Sequence, residues 1–261
     1  MMRSLWVSKT GLDAQEVRMS VTANNLANVN TTGFKRDRAN FEDLMYQNVR
    51  QVGAQNTQDN KLPTGLYLGA GVRTVSTQKI FTEGSFTQTG GALDLAIQGR
   101  GFFQVQLPDG NIAYTRAGSF NLDEQGQMVT PDGYQLVPGV SIPNGALSIT
   151  VGEDGTVSVL QAGQNAPTQV GSIQTADFIN PPGLQPMGQN LFLESLSSGA
   201  PQTGTPGLNG LGNLLQGSLE NSNVNIAEEL VNMIETQRAY EMNSKSISAA
   251  DQMLQYITNN I

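Results

Sequence analysis

The chain has 261 residues and a formal net charge of −8, and only 14% of its residues are charged. It contains no Cys and no His, which excludes disulfide frameworks, thiolate nucleophiles, His-based acid/base pairs and Cys/His zinc sites. The acidic balance argues against a nucleic-acid binder, and no stretch approaches the about 20 apolar residues of a membrane span. Structural and binding roles are therefore favoured over catalysis.

Gly and Pro divide the chain into three parts. All eleven prolines lie between Pro63 and Pro206, and nearly all of the 29 glycines lie between Gly65 and Gly217. Because both residues disfavour helix interiors, the two ends are predicted to be long helices and the centre is not. The N-terminal residues also lack the apolar core of a cleavable secretion signal, so we expect export by a route that reads no such signal.

The first part, residues 1–33, is predicted to be a helix with a narrow apolar line. An apolar residue recurs at every seventh position: Leu5, Leu12, Met19 and Leu26. Gly33 suits a left-handed cap that ends the run. Residues 34–75 are predicted to form an extended connecting segment. The basic run 35–38 within it contains Asp37 and is interpreted as solvated or ion-paired.

The central part, residues 76–200, is predicted to be an antiparallel β domain. Apolar and polar residues alternate over three runs that contain Phe103, Val105, Leu107; Leu147, Ile149, Val151; and Val157, Val159. The turn signals that separate such runs are Asp109-Gly110, Asp132-Gly133 and Asp154-Gly155. Residues 201–221 are interpreted as a flexible return linker.

The last part, residues 222–261, is predicted to be a second long helix. Asn225, with Glu228 three positions later, indicates its N-terminal cap, and an apolar residue recurs every seventh position: Ile226, Met233, Tyr240, Ile247, Leu254 and Ile261. This spacing is typical of coiled coils. One narrow apolar line buries little area, so the helices either pair only within the chain or also pair with neighbouring copies. The fold class is α+β.

Sequences that could carry chemistry have simpler interpretations. The acidic pairs Asp123/Glu124 and Glu153/Asp154 adjoin turn glycines, and a hydrolase would need two such carboxylates facing a shared cleft. A glycan-binding module would need exposed aromatic residues, and the candidates Tyr114, Tyr134 and Phe178 fit core alternation instead. We therefore predict no catalytic, cofactor or metal site.

Residues 23–35, ANNLANVNTTGFK, resemble the N-terminal signature of bacterial flagellar rod and hook proteins. The positions that carry this resemblance are Asn24, Asn25, Leu26, Asn28, Gly33 and Phe34. The stretches at 92–105, 114–136 and 222–254 are similar to the same family. The length and the extended segment at 46–71 resemble most the distal rod members of that family.

The resemblance implies a structural subunit of the distal rod that polymerises into a rigid hollow drive shaft around an export channel. It implies paired terminal helices on the inside and the β domain outside, with export through the flagellar type III apparatus and assembly in the periplasm. The implied partners are further copies of the chain, proximal rod subunits below, hook or junction subunits above and the surrounding outer ring proteins, without nucleic acid or membrane insertion. Alternatives are a proximal rod or hook-type subunit, or an adhesin-like module that binds the cell wall.

The segment 46–71 is predicted to stiffen the polymer. It is rich in Asn and Gln and, in this interpretation, carries almost no apolar residues that could fold it alone. Gly53 and Gly65 permit turns, Pro63 limits the freedom between them, and Gln47 begins the polar run. We expect this segment to lie across adjacent subunits as a brace.

Overall fold

Two long helices lie at the ends of the chain, α1 (Met2–Ala27) and α2 (Ile226–Asn259), in a computed structural model that describes residues 2–53, 63–164 and 166–259. Both ends were predicted to be helical, and this is confirmed. Asn225 caps α2 as predicted, because its Oδ1 accepts hydrogen bonds from the backbone N–H groups of Ala227 and Glu228. None of the described helices is both long and apolar enough to cross a membrane.

Gly33 does not cap α1, which ends at Ala27. Its φ of +70° is left-handed as expected, but the reason is a close backbone approach. A Cβ on Gly33 would lie 2.6 Å from the backbone nitrogen of Ala117. Glycine is therefore required here by the neighbouring strand connection rather than by the helix terminus.

The chain divides into two compact units, which we call the helical unit and the β unit. The helical unit comprises Met1–Ala27, Asp37–Gln78 and Asn225–Ile261, and the β unit comprises Asn28–Arg36 and Lys79–Val224. The helical unit contains both helices and two two-stranded sheets. Its strands are β1 (Asp37–Asp43), β2 (Gln47–Arg50), β3 (Leu66–Leu68) and β4 (Val72–Lys79), and β1 pairs with β4 while β2 pairs antiparallel with β3.

The β unit is built from short strands that pair in antiparallel fashion. They are β5 (Phe86–Gln88), β6 (Leu95–Gln98), β7 (Phe102–Gln106), β8 (Ile112–Thr115), β9 (Asn121–Leu122), β10 (Met128–Val129), β11 (Gln135–Val137), β12 (Ala146–Val151), β13 (Thr156–Gln161), β14 (Thr168–Ser172), β15 (Thr175–Asp177), β16 (Gln185–Gly188), β17 (Leu191–Leu193), β18 (Gln202–Gly204), β19 (Asn213–Gln216) and β20 (Ser218–Glu220). A single 3₁₀ turn, Pro181–Gly183, precedes β16.

The largest sheet has nine strands and places β7 at its centre. Its main path runs β16-β17-β8-β7-β11-β10-β9, and β15 joins β7 to β18. The other sheets of this unit are β12-β13-β14, β19-β6 and β20-β5. The three predicted Asp-Gly turns each connect two paired strands: β7 with β8, β10 with β11, and β12 with β13.

The core of the β unit is apolar and contains most of the predicted inward positions. Phe103, Val105, Val157 and Val159 are fully buried. Leu147 is an exception, because it is exposed rather than buried. A register irregularity between Ala146 and Ser148 shifts β12 against β13 at this point, and such a shift interrupts strict alternation of faces.

Residues 201–221, predicted to be a flexible linker, contain three paired strands instead. β18 pairs with β15, β19 with β6 and β20 with β5. Turns rich in Gly separate strands of only three or four residues, so the amino-acid composition of residues 201–221 is similar to that of a flexible linker. The returning chain therefore closes sheets that earlier segments begin.

Candidate functional site

The two helices pack against each other in antiparallel orientation within the helical unit. Ser8 Oγ donates to Ser246 Oγ at 3.4 Å, and Asn25 Nδ2 donates to Glu229 Oε1 at 3.4 Å. Between these pairs, a Cβ on Gly11 would lie 3.0 Å from Asn243 Nδ2. From one contact to the next, the residue number on α1 increases by as much as the number on α2 decreases. The three contacts therefore belong to one antiparallel register.

The buried seam between the helices is polar and small, not apolar. Its buried members are Ala14, Thr22 and Asn25 on α1 and Glu229, Thr236 and Ala250 on α2. On α2 this seam lies three residues beyond the predicted apolar line and also repeats every seventh residue. This seam was not predicted, because the prediction rested on apolar residues alone, although Glu229, Thr236, Asn243 and Ala250 also recur at every seventh position.

The predicted apolar lines are not fully buried within the chain. Ile226 and Tyr240 are exposed, and Ile261 lies outside the described residues. The remaining members are half-buried: Leu5, Leu12, Met19, Leu26, Met233, Ile247 and Leu254. Apolar residues on other faces are exposed as well, including Trp6, Leu230, Val231, Ile234, Met242, Met253 and Tyr256. The helix pair thus has a polar interior seam and leaves many large apolar side chains exposed among the polar residues of its outer surface.

Asn24 and Asn25 of the family signature hold the chain that follows α1 back against the helix. Asn25 Oδ1 accepts from Asp37 N at 2.8 Å, and Asn25 Nδ2 donates to Asp37 O at 2.9 Å. Asn24 Nδ2 donates to the Asp37 carboxylate at 3.4 Å. Asn25 therefore satisfies both backbone groups of the first residue of β1 while it is itself buried, which explains an amide at this position.

Leu26, Asn28 and Phe34 have simpler roles. Leu26 is half-buried on α1, and Asn28 Oδ1 accepts from Thr31 Oγ1 at 3.1 Å in the turn within the β unit. Phe34 is buried, and Lys79 Nζ lies 4.9 Å from its ring centroid. The signature thus combines helix, turn and β-unit contacts.

Three charged side chains form a buried cluster in the β unit, which we call the ion triad: Lys35, Arg116 and Glu220. Lys35 Nζ lies 2.5 Å from Glu220 Oε1, and Arg116 Nη1 lies 3.3 Å from Glu220 Oε2. The side chains of Lys35 and Glu220 are completely buried. The basic run 35–38 was interpreted as solvated or ion-paired, and Lys35 is ion-paired, but it is buried together with its partner Glu220 inside the β unit.

Backbone groups add further hydrogen bonds to the ion triad. Lys35 Nζ donates to Thr82 O at 2.7 Å, Arg116 Nη2 donates to Gly99 O at 2.6 Å, and Glu220 Oε1 accepts from Gly84 N at 3.0 Å. Burial lowers the pKa of Lys35 below its ordinary value, and Glu220 opposes that shift. Burial likewise lowers the pKa of Arg116, again opposed by Glu220. One carboxylate thus compensates two buried cations.

The segment between β1 and β4 contains a hairpin, which we call the β2–β3 hairpin and which comprises residues 45–53 and 63–68. Gln47 pairs with Leu68, Gly53 has a φ of +77°, Pro63 is exposed, and a Cβ on Gly65 would lie 2.8 Å from Arg50 O. Residues 54–62 lie outside the described residues. Contrary to prediction, the hairpin exposes many large apolar side chains: Met45, Tyr46, Val49, Val52, Leu66, Tyr67 and Leu68.

In each acidic pair, the aspartate accepts hydrogen bonds within a turn. Asp123 Oδ1 accepts from Gln125 N and Gln127 N, and Asp154 Oδ1 accepts from the backbone and hydroxyl of Thr156. Those Thr156 hydrogen bonds lower the pKa of Asp154. A cavity of about 370 Å³ beside Thr115 has Asp132 as its one acidic lining residue. Two carboxylates therefore do not meet in that cavity.

The aromatic candidates for a glycan platform are not exposed. Tyr114 and Phe178 are buried with their rings 4.7 Å apart in an edge-to-face arrangement, and Tyr134 is half-buried against the main core. Within the described residues, no group of three acidic side chains is placed to hold a metal ion.

Family models place the chain among the axial proteins of the bacterial flagellum. Residues 5–35 match the flagella basal body rod protein family, residues 96–159 match the flagellar hook protein FlgE/F/G D1 domain, and residues 215–261 match the C-terminal family of flagellar basal body rod FlgEFG proteins. These regions contain α1, the core strands of the β unit and α2, respectively.

Relatives that match along nearly their whole length identify one family among these flagellar proteins. The flagellar basal-body rod protein FlgG of Buchnera aphidicola subsp. Schizaphis graminum is 57% identical over 99% of both chains. FlgG proteins of Caulobacter vibrioides and Bacillus subtilis are 49% and 39% identical over 97% and 99% of both chains. The chain belongs to the FlgG family of flagellar basal-body rod proteins, which are structural proteins of the flagellar basal body and not enzymes.

Proposed function

We propose that this chain polymerises into the distal rod, a rigid hollow drive shaft that transmits torque and encloses the export channel. The observation that carries this proposal is the inverted character of the helix pair, whose seam is polar while large apolar side chains remain outside. A soluble monomer gains nothing from such a surface, whereas neighbours in a polymer bury it. Head-to-tail contacts between unlike surfaces produce an open helical filament when the rotation between copies does not close.

In this polymer the terminal helices form the inner tube by coiled-coil-type packing between copies, and the β unit lies outside. The half-buried lines that contain Leu12 and Leu254 are then completed by neighbouring helices. The chain reaches the periplasm through the flagellar type III apparatus. It contacts proximal rod subunits at one end, hook or junction subunits at the other and the surrounding ring proteins. Family membership supports these partners.

Leu12→Asp and Leu254→Asp test the inner tube. Each places a carboxylate where a neighbouring apolar surface would desolvate it, at a cost of several kcal/mol, so polymerisation should be abolished and cells should be non-motile. Ser20→Asp on an exposed position of α1 is the control and should assemble. Normal rods from either leucine variant would show that these lines are not assembly contacts.

The β2–β3 hairpin is the stiffening element of the proposed rod. A two-stranded hairpin is marginally stable in water, and this one exposes apolar side chains on both strands. We expect neighbouring subunits to cover it and so resist sliding. The hairpin thus keeps the bracing role that was predicted from the sequence. In this proposal, however, apolar contacts as well as hydrogen bonds from the Asn and Gln side chains bind it to neighbouring subunits.

Deletion of residues 47–62 should leave a polymer that is bendable or curved, as measured by electron microscopy of isolated rods. A second variant keeps the chain length and replaces Tyr46, Val49 and Tyr67 with Ser, which separates apolar contact from simple shortening. Deletion rods as straight and stiff as the parent would place stiffness elsewhere in the subunit.

A further inference from the structure

Two connections in the β unit present large apolar side chains to solvent. Ile179, just after β15, has 76% of its surface exposed, and Leu196, just after β17, is fully exposed. Together, residues 179–183 and 194–198 form what we call the loop platform. Isolated exposed apolar residues are common, but two on connections that hydrogen-bond to each other form a candidate contact surface.

The loop platform is held firmly by its own hydrogen bonds. Asn180 Nδ2 donates to Ser197 O at 2.9 Å, and Ser195 Oγ donates to Gly183 O at 2.6 Å. Ser198 is buried and its Oγ accepts from Ser195 N at 2.9 Å. The backbone that carries Ile179 and Leu196 is therefore pre-organised, which lowers the ordering cost of binding.

A matching surface exists in the helical unit of the same chain. The β2–β3 hairpin exposes Val49 and Tyr67 on its paired strands. It carries one charged residue among its described positions, Arg50, which is exposed. The loop platform also carries one charged residue, the exposed Glu194. Among the described residues neither side chain forms an ion pair. The described parts of the two surfaces are thus both largely apolar, and their single charges are of opposite sign.

We propose that the β2–β3 hairpin of one copy docks on the loop platform of a second copy, with Arg50 facing Glu194 and the apolar side chains of both surfaces buried together. This inference rests on the proposed function, because it names the surface on which the brace acts. The contact joins unlike patches, so it can propagate along an open filament where the rotation between successive copies does not close.

Charge reversal tests the pairing in the full chain. Arg50→Glu and Glu194→Arg should each raise the critical concentration for polymerisation, measured by sedimentation, by about tenfold, the effect of roughly 1.4 kcal/mol. The double variant should return to within about threefold of the parent. Arg50→Glu combined with Glu124→Arg, at an exposed turn carboxylate, is the matched control and should show no rescue. Equal behaviour of the two double variants would overturn the pairing.

Cysteine cross-linking tests the contact itself, because the parent chain contains no Cys. Subunits with Tyr67→Cys and Leu196→Cys should form disulfide-linked ladders when assembled rods are oxidised and none as dilute monomer. The control combines Tyr67→Cys with Leu147→Cys, another exposed leucine of the β unit, and should remain uncross-linked. Ladders in the control alone, or in neither polymer, would refute the docking surface.

The two proposals fail differently. If hairpin deletion softens the rod but charge reversal shows no rescue and no ladder forms, the brace is right and its docking surface is wrong. If deletion leaves the rod stiff, the brace itself is wrong, even where cross-linking succeeds.

Discussion

The helical unit and the β unit bury opposite kinds of residue. The β unit encloses a continuous apolar core that includes Leu95, Phe103 and Val157, and beside it a charge cluster whose members compensate one another. The helical unit buries Thr22, Asn25 and Glu229 while Ile234 and Met242 face solvent. One unit therefore holds what it needs to fold, and in the proposed polymer the other is completed by the surfaces of neighbouring copies.

The largest expected effect concerns the helix content of the dilute monomer, which tests the contrast between the two units. Because the helix pair buries little apolar area, ordering α1 and α2 costs more than their packing returns. We expect far-UV circular dichroism to lack most of the signal from Met2–Ala27 and Ile226–Asn259 until assembly. Full helicity in dilute monomer would remove the distinction between the units.

Removing the shared carboxylate of the ion triad should destabilise the β unit strongly. Glu220→Ala leaves Lys35 and Arg116 buried without the carboxylate that pairs with both of them, at an expected cost of about 3–5 kcal/mol in the free energy of unfolding. Denaturant unfolding of monomer measures this loss. The control is Glu42→Ala, which breaks the exposed pair with Arg73 and should cost no more than about 1 kcal/mol. Similar costs for both variants would mean that burial of the triad has no energetic role.

A smaller effect appears at alkaline pH. Burial, aided by the Glu194 carboxylate, raises the pKa of Tyr114 to about 12 from its ordinary value of 10.0. The folded β unit therefore holds this proton between pH 10 and 12 after the unfolded chain has lost it, so stability falls as pH rises through that window.

Tyr114→Phe should flatten the alkaline loss of stability, as measured by denaturant unfolding at stepped pH values, with Tyr46→Phe at an exposed position as the control. A parent whose stability does not fall above pH 10 would contradict the assignment. This result would support the contrast between the two units, because the Tyr114 phenol keeps its proton only if the β unit is folded in the monomer.

The smallest expected effect lies at the helix seam. Gly11→Ala gains helix propensity of about 1 kcal/mol, while its Cβ would meet only the side-chain amide of Asn243, whose nitrogen lies at 3.0 Å. The polymer should therefore change its melting temperature by only a few degrees, as measured by scanning calorimetry. Complete loss of assembly would show a tighter seam than the side chains indicate.

Sequence patterns predicted elements whose cause is local. The Asn225 cap and the Asp109-Gly110, Asp132-Gly133 and Asp154-Gly155 turns depend on neighbouring backbone groups, and all four were found. The family signature likewise indicated the axial class, which the full-length relatives confirmed.

Features whose cause is distant in the chain were missed. Lys35, Arg116 and Glu220 meet only through the β-sheet topology, and no local pattern links them. Leu147 was placed in the core because the register irregularity in β12 is invisible to simple alternation. The polar seam at Glu229 and Thr236 was overlooked because burial of polar residues depends on the partner helix.

The ion triad also sets an order of folding events for a chain that is synthesised from its N-terminus. Lys35 and Arg116 emerge long before Glu220, which lies on the last strand before α2. Until Glu220 arrives, closing the sheet around the two cations would bury them without compensation. Closure of the β unit therefore becomes favourable only once nearly the whole chain, including Glu220, is present.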